Sequence, residues 1–379
     1  MVKILSVFGT RPEVIKIAPA IKELRKHPDK FICCTCITAQ HRQMVDQLLK
    51  LFEINPNYDL NIMKEDQSLE YITVIVLTKI GEIIRKERPD YLLVQGDTTT
   101  SMAACLAAFY QKVKIIHLEA GLRTWNKLHP YPEEINRIII DSMSDLCFAH
   151  TEQAKQNLLR EGVAPDKIEV TGNTVIDSLL GVAATDIDVR NSPLENIPFN
   201  KMKIILVTAH RRENFGQSLI NICNAISEIA LKYSSSVHIV YPVHPNPNVQ
   251  KTVYSILKGI INVSLIDPLN YKYFVHLMKH SYLILTDSGG LQEEAPSLGK
   301  PVLVLRQVTE RPEAVEAGAA EVVGTQFREI VEATVELLEN KKKYERMVQA
   351  TNPYGDGKAA GRIVNVLAQN PMSESRSKK

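Results

Sequence analysis

The sequence predicts an α/β protein built from two doubly wound parallel sheets, and three observations carry that expectation. Short apolar runs of strand length alternate with stretches of helical period almost throughout. The alternation runs twice, with a break near residues 181–200. The 379 residues suit two domains better than one compact unit. A hydrophobic content of 45% leaves ample material for two buried cores.

The first strand, within KILSVF at 3–8, breaks into GTRPE. An apolar-periodic helix follows, marked by Val14, Ile17, Ala18, Ile21 and Leu24, with Pro12 suited to its first positions. FICCTCI at 31–37 reads as a buried central strand. Further strands are expected at 91–95, 113–118, 145–149 and 167–170, with helix patterns at 41–53, 69–86 and 101–110 between them. Such alternation implies right-handed βαβ units. The segment GVAATDIDVRNSPLENIPFN holds two prolines and little periodicity, so it reads as a linker. Strands resume at 203–208, 236–241, 263–266, 282–286, 301–305 and 320–323. The domains are therefore expected at 1–178 and 179–358, with a helix at about 359–370 packing back on the first and a disordered tail at 371–379. Two such domains on one linker leave a cleft, and ligands of open α/β sheets sit beyond the carboxyl ends of the strands.

Composition excludes several classes. A net charge of +2 argues against a dedicated nucleic-acid binder. No apolar stretch approaches the ~20 residues of a membrane span. The start, MVKILSVFGTRPE, lacks the features of a signal peptide, so a cytoplasmic protein is expected. Cys33 and Cys36 have C-x-x-C spacing, but no second pair or nearby histidines complete a metal site. They read as core thiols, and no metal or cofactor is expected. His27, His238, His276 and His280 fall inside helix or strand patterns and read as structural.

The chemistry sits at the strand exits. After the first strand, Arg11 stands at a helix start with Lys16 one turn on, an anion-binding arrangement. Asp97 follows YLLVQ in GDTTTS, and Glu119 follows KIIH, with Arg123 close behind. Glu133 and Glu134 open a helix after Pro132, where acidic residues are common for dipole reasons alone. Three acidic positions converging on one crevice are nevertheless costly unless they bind a cation, hold polar groups or move protons. In the second half, His210, Arg211, Arg212 and Glu213 follow one strand and His244 another. Ser288, Gly289 and Gly290 open a helix where backbone N–H groups can meet a phosphate, and Glu294 lies one turn on, suited to a ribose diol. Arg311 opens a further helix in TERPE.

Together GTRPEVIK, TAQHRQM, GDTTT, HLEAGLRT, PEEINR, TGNTVIDSL, TAHRREN, TDSGGLQEEAPSLGKPVL and TERPEAVEAG resemble the non-hydrolysing UDP-N-acetylglucosamine 2-epimerases, in order from residue 3 to about 363. The resemblance implies a twin-Rossmann, glycosyltransferase-B architecture and a homodimer. It implies reversible conversion of UDP-GlcNAc to UDP-ManNAc, a precursor of cell-surface polysaccharides, by loss and re-addition of UDP through a 2-acetamidoglucal. UDP and the two UDP-sugars are the implied partners, with no nucleic acid and no membrane. Carried over, the catalytic residues fall on Asp97, Glu119, Glu133 and His210, with His244 in the same cleft. The positions that contact UDP or substrate match Arg11, Lys16, Arg211, Phe274, Ser288, Gly289, Gly290, Glu294 and Arg311. Some family members bind a second UDP-GlcNAc as activator; those positions match Gln40, His41, Gln43, Gln67, Glu133 and Arg211, but Asp66 replaces an arginine. Other departures are Gln307, Val308, Leu269, Cys147 and His150. The residues leave open a hydrolysing epimerase releasing ManNAc and UDP, a 2-epimerase of a UDP-GlcNAc uronate, a retaining glycosyltransferase, and a nucleotide-sugar-binding regulator.

Overall fold

The structure, a computed structural model, describes residues 1–39, 42–64 and 67–369, without the side chains of Gln43 and Met44. The tail expected at 371–379 lies outside the described residues. The chain divides into two compact units: Met1–Ser178 with the segment from Tyr354 onward, and Leu179–Pro353.

In the first unit the elements run β1 (Val2–Phe8), α1 (Arg11–Arg25), β2 (Phe31–Ile37), α2 (Arg42–Leu51), β3 (Tyr58–Asp59), α3 (Leu69–Glu87), β4 (Tyr91–Gln95), α4 (Thr99–Tyr110), β5 (Lys114–Ala120), α5 (Glu133–Met143), β6 (Leu146–Ala149), α6 (Glu152–Arg160), β7 (Ile168–Val170) and α7 (Thr174–Ala183). The parallel sheet has the order β3-β2-β1-β4-β5-β6-β7. Its central strands are buried nearly end to end because helices cover both faces, which is why they read as continuous apolar runs. β3 has two residues, too few for any alternation to register in the sequence. The cysteines are free thiols, and burial pushes Cys34 up to about 11 and Cys36 further. That leaves them inert as core side chains.

The second unit repeats the plan with β8 (Lys203–Thr208), α8 (Gln217–Lys232), β9 (Val237–Pro242), α9 (Pro247–Leu257), β10 (Val263–Ile266), α10 (Tyr271–His280), β11 (Leu283–Thr286), α11 (Gly289–Glu294), β12 (Val302–Val304), α12 (Pro312–Glu316), β13 (Ala320–Val322), α13 (Phe327–Glu339) and α14 (Lys341–Val348). Its sheet order is β10-β9-β8-β11-β12-β13, all parallel. This is the doubly wound dinucleotide-fold order. Its core is formed by α8, α9 and α13 against the strands, through residues such as Ile226, Tyr241 and Leu337. The last helix, α15 (Ala359–Gln369), belongs to the first unit and packs on α1. The Asp177 carboxylate accepts the N–H groups of Ala359 and Ala360 at 3.2 and 2.9 Å. It thereby caps donors that a helix start leaves unpaired. Among the described residues no helix is long and apolar enough to cross a membrane.

One glycine fixes the exit of β5. Gly121 has φ +84°, and a Cβ there would lie 2.2 Å from the Ala154 carbonyl oxygen. Both the backbone conformation and the space require glycine. Gly121→Ala is expected to destabilise the first unit by about 2–5 kcal/mol. Chemical denaturation followed by circular dichroism measures this, and an unchanged midpoint would refute it.

Candidate functional site

In each sheet the strand order reverses at one place, between β1 and β4 in the first unit and between β8 and β11 in the second. The loops leaving those strands diverge and open a crevice. Arg11 and Asp97 stand at the first of these points and His210, Arg211, Ser288, Gly289 and Gly290 at the second, while Glu119, Glu133, His244, Phe274 and Arg311 come from neighbouring elements.

In the first unit, Glu13 ties the two loops together. Its buried carboxylate accepts the N–H groups of Gly9 and Thr10 at 3.0 and 2.7 Å, and the hydroxyls of Thr98 and Ser101 at 2.7 and 3.0 Å. Burial pushes this carboxyl above its ordinary range, against the pull of those donors. Arg11, at the start of α1, is set by this capped loop. Sequence reasoning passed over Glu13, although Thr10-Arg11-Pro12-Glu13 has capping-box spacing.

Asp97 follows β4. Arg137 donates to its carboxylate at 2.6 Å, and Asn136 donates to its main-chain oxygen at 2.9 Å. The preceding peptide is held as well, because Gly96 O faces His117 Nε2 at 2.8 Å and His117 Nδ1 faces Asp141 at 2.5 Å. Burial would push the Asp141 carboxyl up, but His117 and Arg123 outweigh it and hold it below the usual range. Gly121 N–H and Arg123 also donate to Asp141, at 3.1 and 2.7 Å. This network fixes the ends of β4 and β5 to α5.

Glu119 occupies a register break between β5 and β6, between the paired residues Leu118 and Ala120. Its φ is +66°, a left-handed backbone that costs a glutamate about 1–2 kcal/mol. The carboxylate accepts from Lys16, from the Gln95 amide and from the Asn173 amide, the last at 3.2 Å. Lys16, expected as a second cation for an anion, is thus paired with a catalytic candidate. Bulges re-aim side chains next to active sites, and a strained residue held by three donors fits that pattern.

Glu133 is the first residue of α5 and is half-buried. Burial pushes its carboxyl up and the neighbouring Asp97 adds to this, against its own N–H and Arg137. Glu134 is different. Fully buried, it accepts the N–H groups of Thr124 and Trp125 at 3.0 and 2.8 Å and so holds the loop after β5. The helix start therefore presents one half-buried, hydrogen-bond-poor glutamate and one glutamate that holds a loop.

In the second unit, His210 and Arg211 follow β8, while Ser288 and Gly289 follow β11. Asp287, fully buried, joins the two loops: one carboxylate oxygen accepts the N–H groups of His210 and Arg211, each at 2.8 Å, and the Asn214 amide at 3.0 Å. A Cβ on Gly289 would meet Arg211 at 3.7 Å and the Arg311 guanidinium at 4.0 Å. Gly289 has an ordinary φ, so neither strain nor packing demands glycine there; its bareness leaves space facing two guanidiniums. Arg311 is held by the buried Glu293 carboxylate and by Glu310 O at 3.1 Å. Glu294 stands at the end of α11 with its carboxylate 3.4 Å from a Cβ built on Gly290. The rings of His210 and His244 stack with centroids 5.0 Å apart. Burial and the adjacent His210 lower the His244 pKa, and its Nδ1 accepts the Asn246 N–H at 3.1 Å. Phe274 lies on α10, half-buried.

Of the second-ligand positions, Gln40, His41, Asp66 and the Gln43 side chain lie outside the described residues. Gln67 stands just before the cap of α3.

A family model described as UDP-N-acetylglucosamine 2-epimerase matches residues 22–368. A UDP-N-acetylglucosamine 2-epimerase of Escherichia coli K12 is 52% identical over 98% of this chain and 100% of its own length. The Neisseria meningitidis UDP-GlcNAc 2-epimerase, solved bound to UDP-GlcNAc, is similar with a TM-score of 0.88 and 50% identity, over 97% of this chain and 100% of that one. MnaA of S. aureus, solved with UDP, has a TM-score of 0.86 and 46% identity over 97% and 96%.

The raised Glu133 carboxyl implies a stability cost. A carboxyl whose folded pKa lies above its unfolded value stabilises the fold fully below the unfolded pKa, and that contribution is lost as pH rises through the folded one. Glu133→Gln removes the titration. Its melting temperature is expected to gain on that of the wild type between about pH 4 and pH 7. Calorimetry at both pH values decides this; a gap that shrinks with rising pH would contradict the assignment.

Proposed function

Because the chain belongs to the UDP-N-acetylglucosamine 2-epimerase family, we propose that it interconverts UDP-GlcNAc and UDP-ManNAc without net hydrolysis. The observation that carries this reading is the set Asp97, Glu119 and Glu133: three carboxylates at one end of one sheet, each in a different electrostatic setting.

The C2 proton of the sugar is not next to a carbonyl, so direct deprotonation is slow. Breaking the C1–O bond gives C1 cationic character and makes C2–H acidic. UDP leaves with the bonding electron pair, a carboxylate takes the C2 proton, and a C1–C2 double bond forms. A proton delivered to the opposite face of C2, with the UDP oxygen re-adding at C1, gives the epimer. Two groups of different proton affinity serve this chemistry. Asp97 accepts from Arg137, and Glu119 from Lys16, Gln95 and Asn173, so each carboxylate is held in place to meet a proton. Glu133, pushed up by burial, suits the group that gives one.

Re-addition requires UDP to stay bound once the C1–O bond breaks. Arg211 and Arg311 beside Gly289 stabilise the departing diphosphate, His210 adds to this, and Glu294 holds the ribose. His244, Phe274, Ser288 and Gly290 complete the nucleotide's surroundings. The product feeds cell-surface polysaccharide synthesis.

Incubation with UDP-GlcNAc in D₂O, followed by NMR, tests the proposal. UDP-ManNAc carrying deuterium at C2 is expected. Free ManNAc would instead identify a hydrolysing enzyme, and no reaction would overturn the assignment. Glu119→Gln is expected to bind UDP within about threefold of wild type while kcat falls roughly 10²–10⁴-fold. Wild-type turnover in that variant would remove Glu119 from the mechanism.

A further inference from the structure

Asp287 does more than close a loop. Its Oδ2 takes three donors, but its Oδ1 is buried and has no hydrogen-bond partner among the described residues. A buried, unpaired carboxylate oxygen is costly and calls for a partner. Among the described residues, His210 Nδ1 lies 3.9 Å from Oδ1. That is about 1 Å longer than a typical N–H···O hydrogen bond.

Other candidate donors nearby are already engaged. The Tyr241 hydroxyl donates to Ala209 O at 2.6 Å. His244 Nδ1 accepts the Asn246 N–H and so carries no proton to give. The backbone of His210 is anchored on Oδ2 of the same carboxylate, and its ring is stacked on His244 at an interplanar angle of 11°. A small shift of the ring within its stack brings Nδ1 onto Oδ1.

We propose that Asp287 is a positioning residue for His210. Its free oxygen accepts Nδ1–H, fixes which ring nitrogen carries the proton, and turns Nε2 toward the exposed side of the ring, where ligand arrives. The carboxylate also stabilises the imidazolium whenever Nε2 takes a proton, as a carboxylate does behind any histidine base. The catalytic consequence rests on the proposed epimerase function; the pairing itself does not.

Two-bond ¹H–¹⁵N spectra of ¹⁵N-histidine-labelled protein at about pH 8.5, where an ordinary imidazole is neutral, test the pairing directly. Spectra are taken with and without UDP, and His210 is assigned by its loss in His210→Asn. A proton on Nδ1 in either state is expected. An Nε2–H tautomer in both would overturn the proposal whether or not the protein turns over any sugar. Asp287→Asn supplies the second arm. Its amide oxygen can keep the bonds to the His210 and Arg211 N–H groups, while its NH₂ faces His210 where the acceptor was. The variant is expected to move the proton to Nε2 and to lower kcat for UDP-GlcNAc roughly 10–100-fold, with KM changed less than about threefold. Wild-type kcat would overturn the positioning role. If the variant does not fold or bind UDP, the wild-type tautomer alone decides.

Discussion

The functional surfaces of both units depend on one interaction: a buried carboxylate that spans the point where the strand order reverses. Glu13 does this between the loops after β1 and β4, and Asp287 does it between the loops after β8 and β11. Neither carboxylate could stay buried without donors, since removing a charged oxygen pair from water costs several kcal/mol. The loops supply those donors from their own N–H and hydroxyl groups. Two segments far apart in the chain are thereby locked in one arrangement. Arg11 and Asp97 are placed by the first lock, and His210, Arg211 and Ser288 by the second.

On the first sheet, identical chemistry is divided by surroundings. Glu119 is reached by an ammonium and two amides, Asp97 by a guanidinium, and Glu133 by burial and a neighbouring carboxylate. Unlike surroundings give the three acids different proton affinities. Glu119 requires a left-handed backbone and a break in strand pairing, and Glu133 sits where its charged form is disfavoured. Such features reduce stability locally and persist because the rest of the unit over-determines them. The His117–Asp141–Arg123 network is part of that reserve, as is the close packing of Gly121 on α6.

The second unit handles charge by a different route. Gly289 at the start of α11 leaves an opening that two guanidiniums face, with Glu293 holding Arg311 in place. The first sheet has no glycine pair and offers an arginine at the corresponding turn. The contrast matches the division of tasks in the proposed function: cations around a bare glycine in the second unit, and carboxylates in unlike settings in the first.

The sequence by itself determined the two sheets, nearly every strand, and the residues that end them. Apolar runs and helical periods are local properties, and a residue just after a strand must lie at the sheet's carboxyl edge whatever else the chain does. The capping role of Glu13 was also within reach, because its partners at Gly9 and Thr10 are sequence neighbours. The tertiary structure alone decided how the site residues are wired. Lys16 meets Glu119 across 103 positions, His117 meets Asp141 across 24, and Asp287 meets the His210 N–H across 77. No local pattern encodes these pairs. They follow from strand order and register, which bring distant loops together, and from the need to satisfy each carboxylate once the fold has taken it out of water.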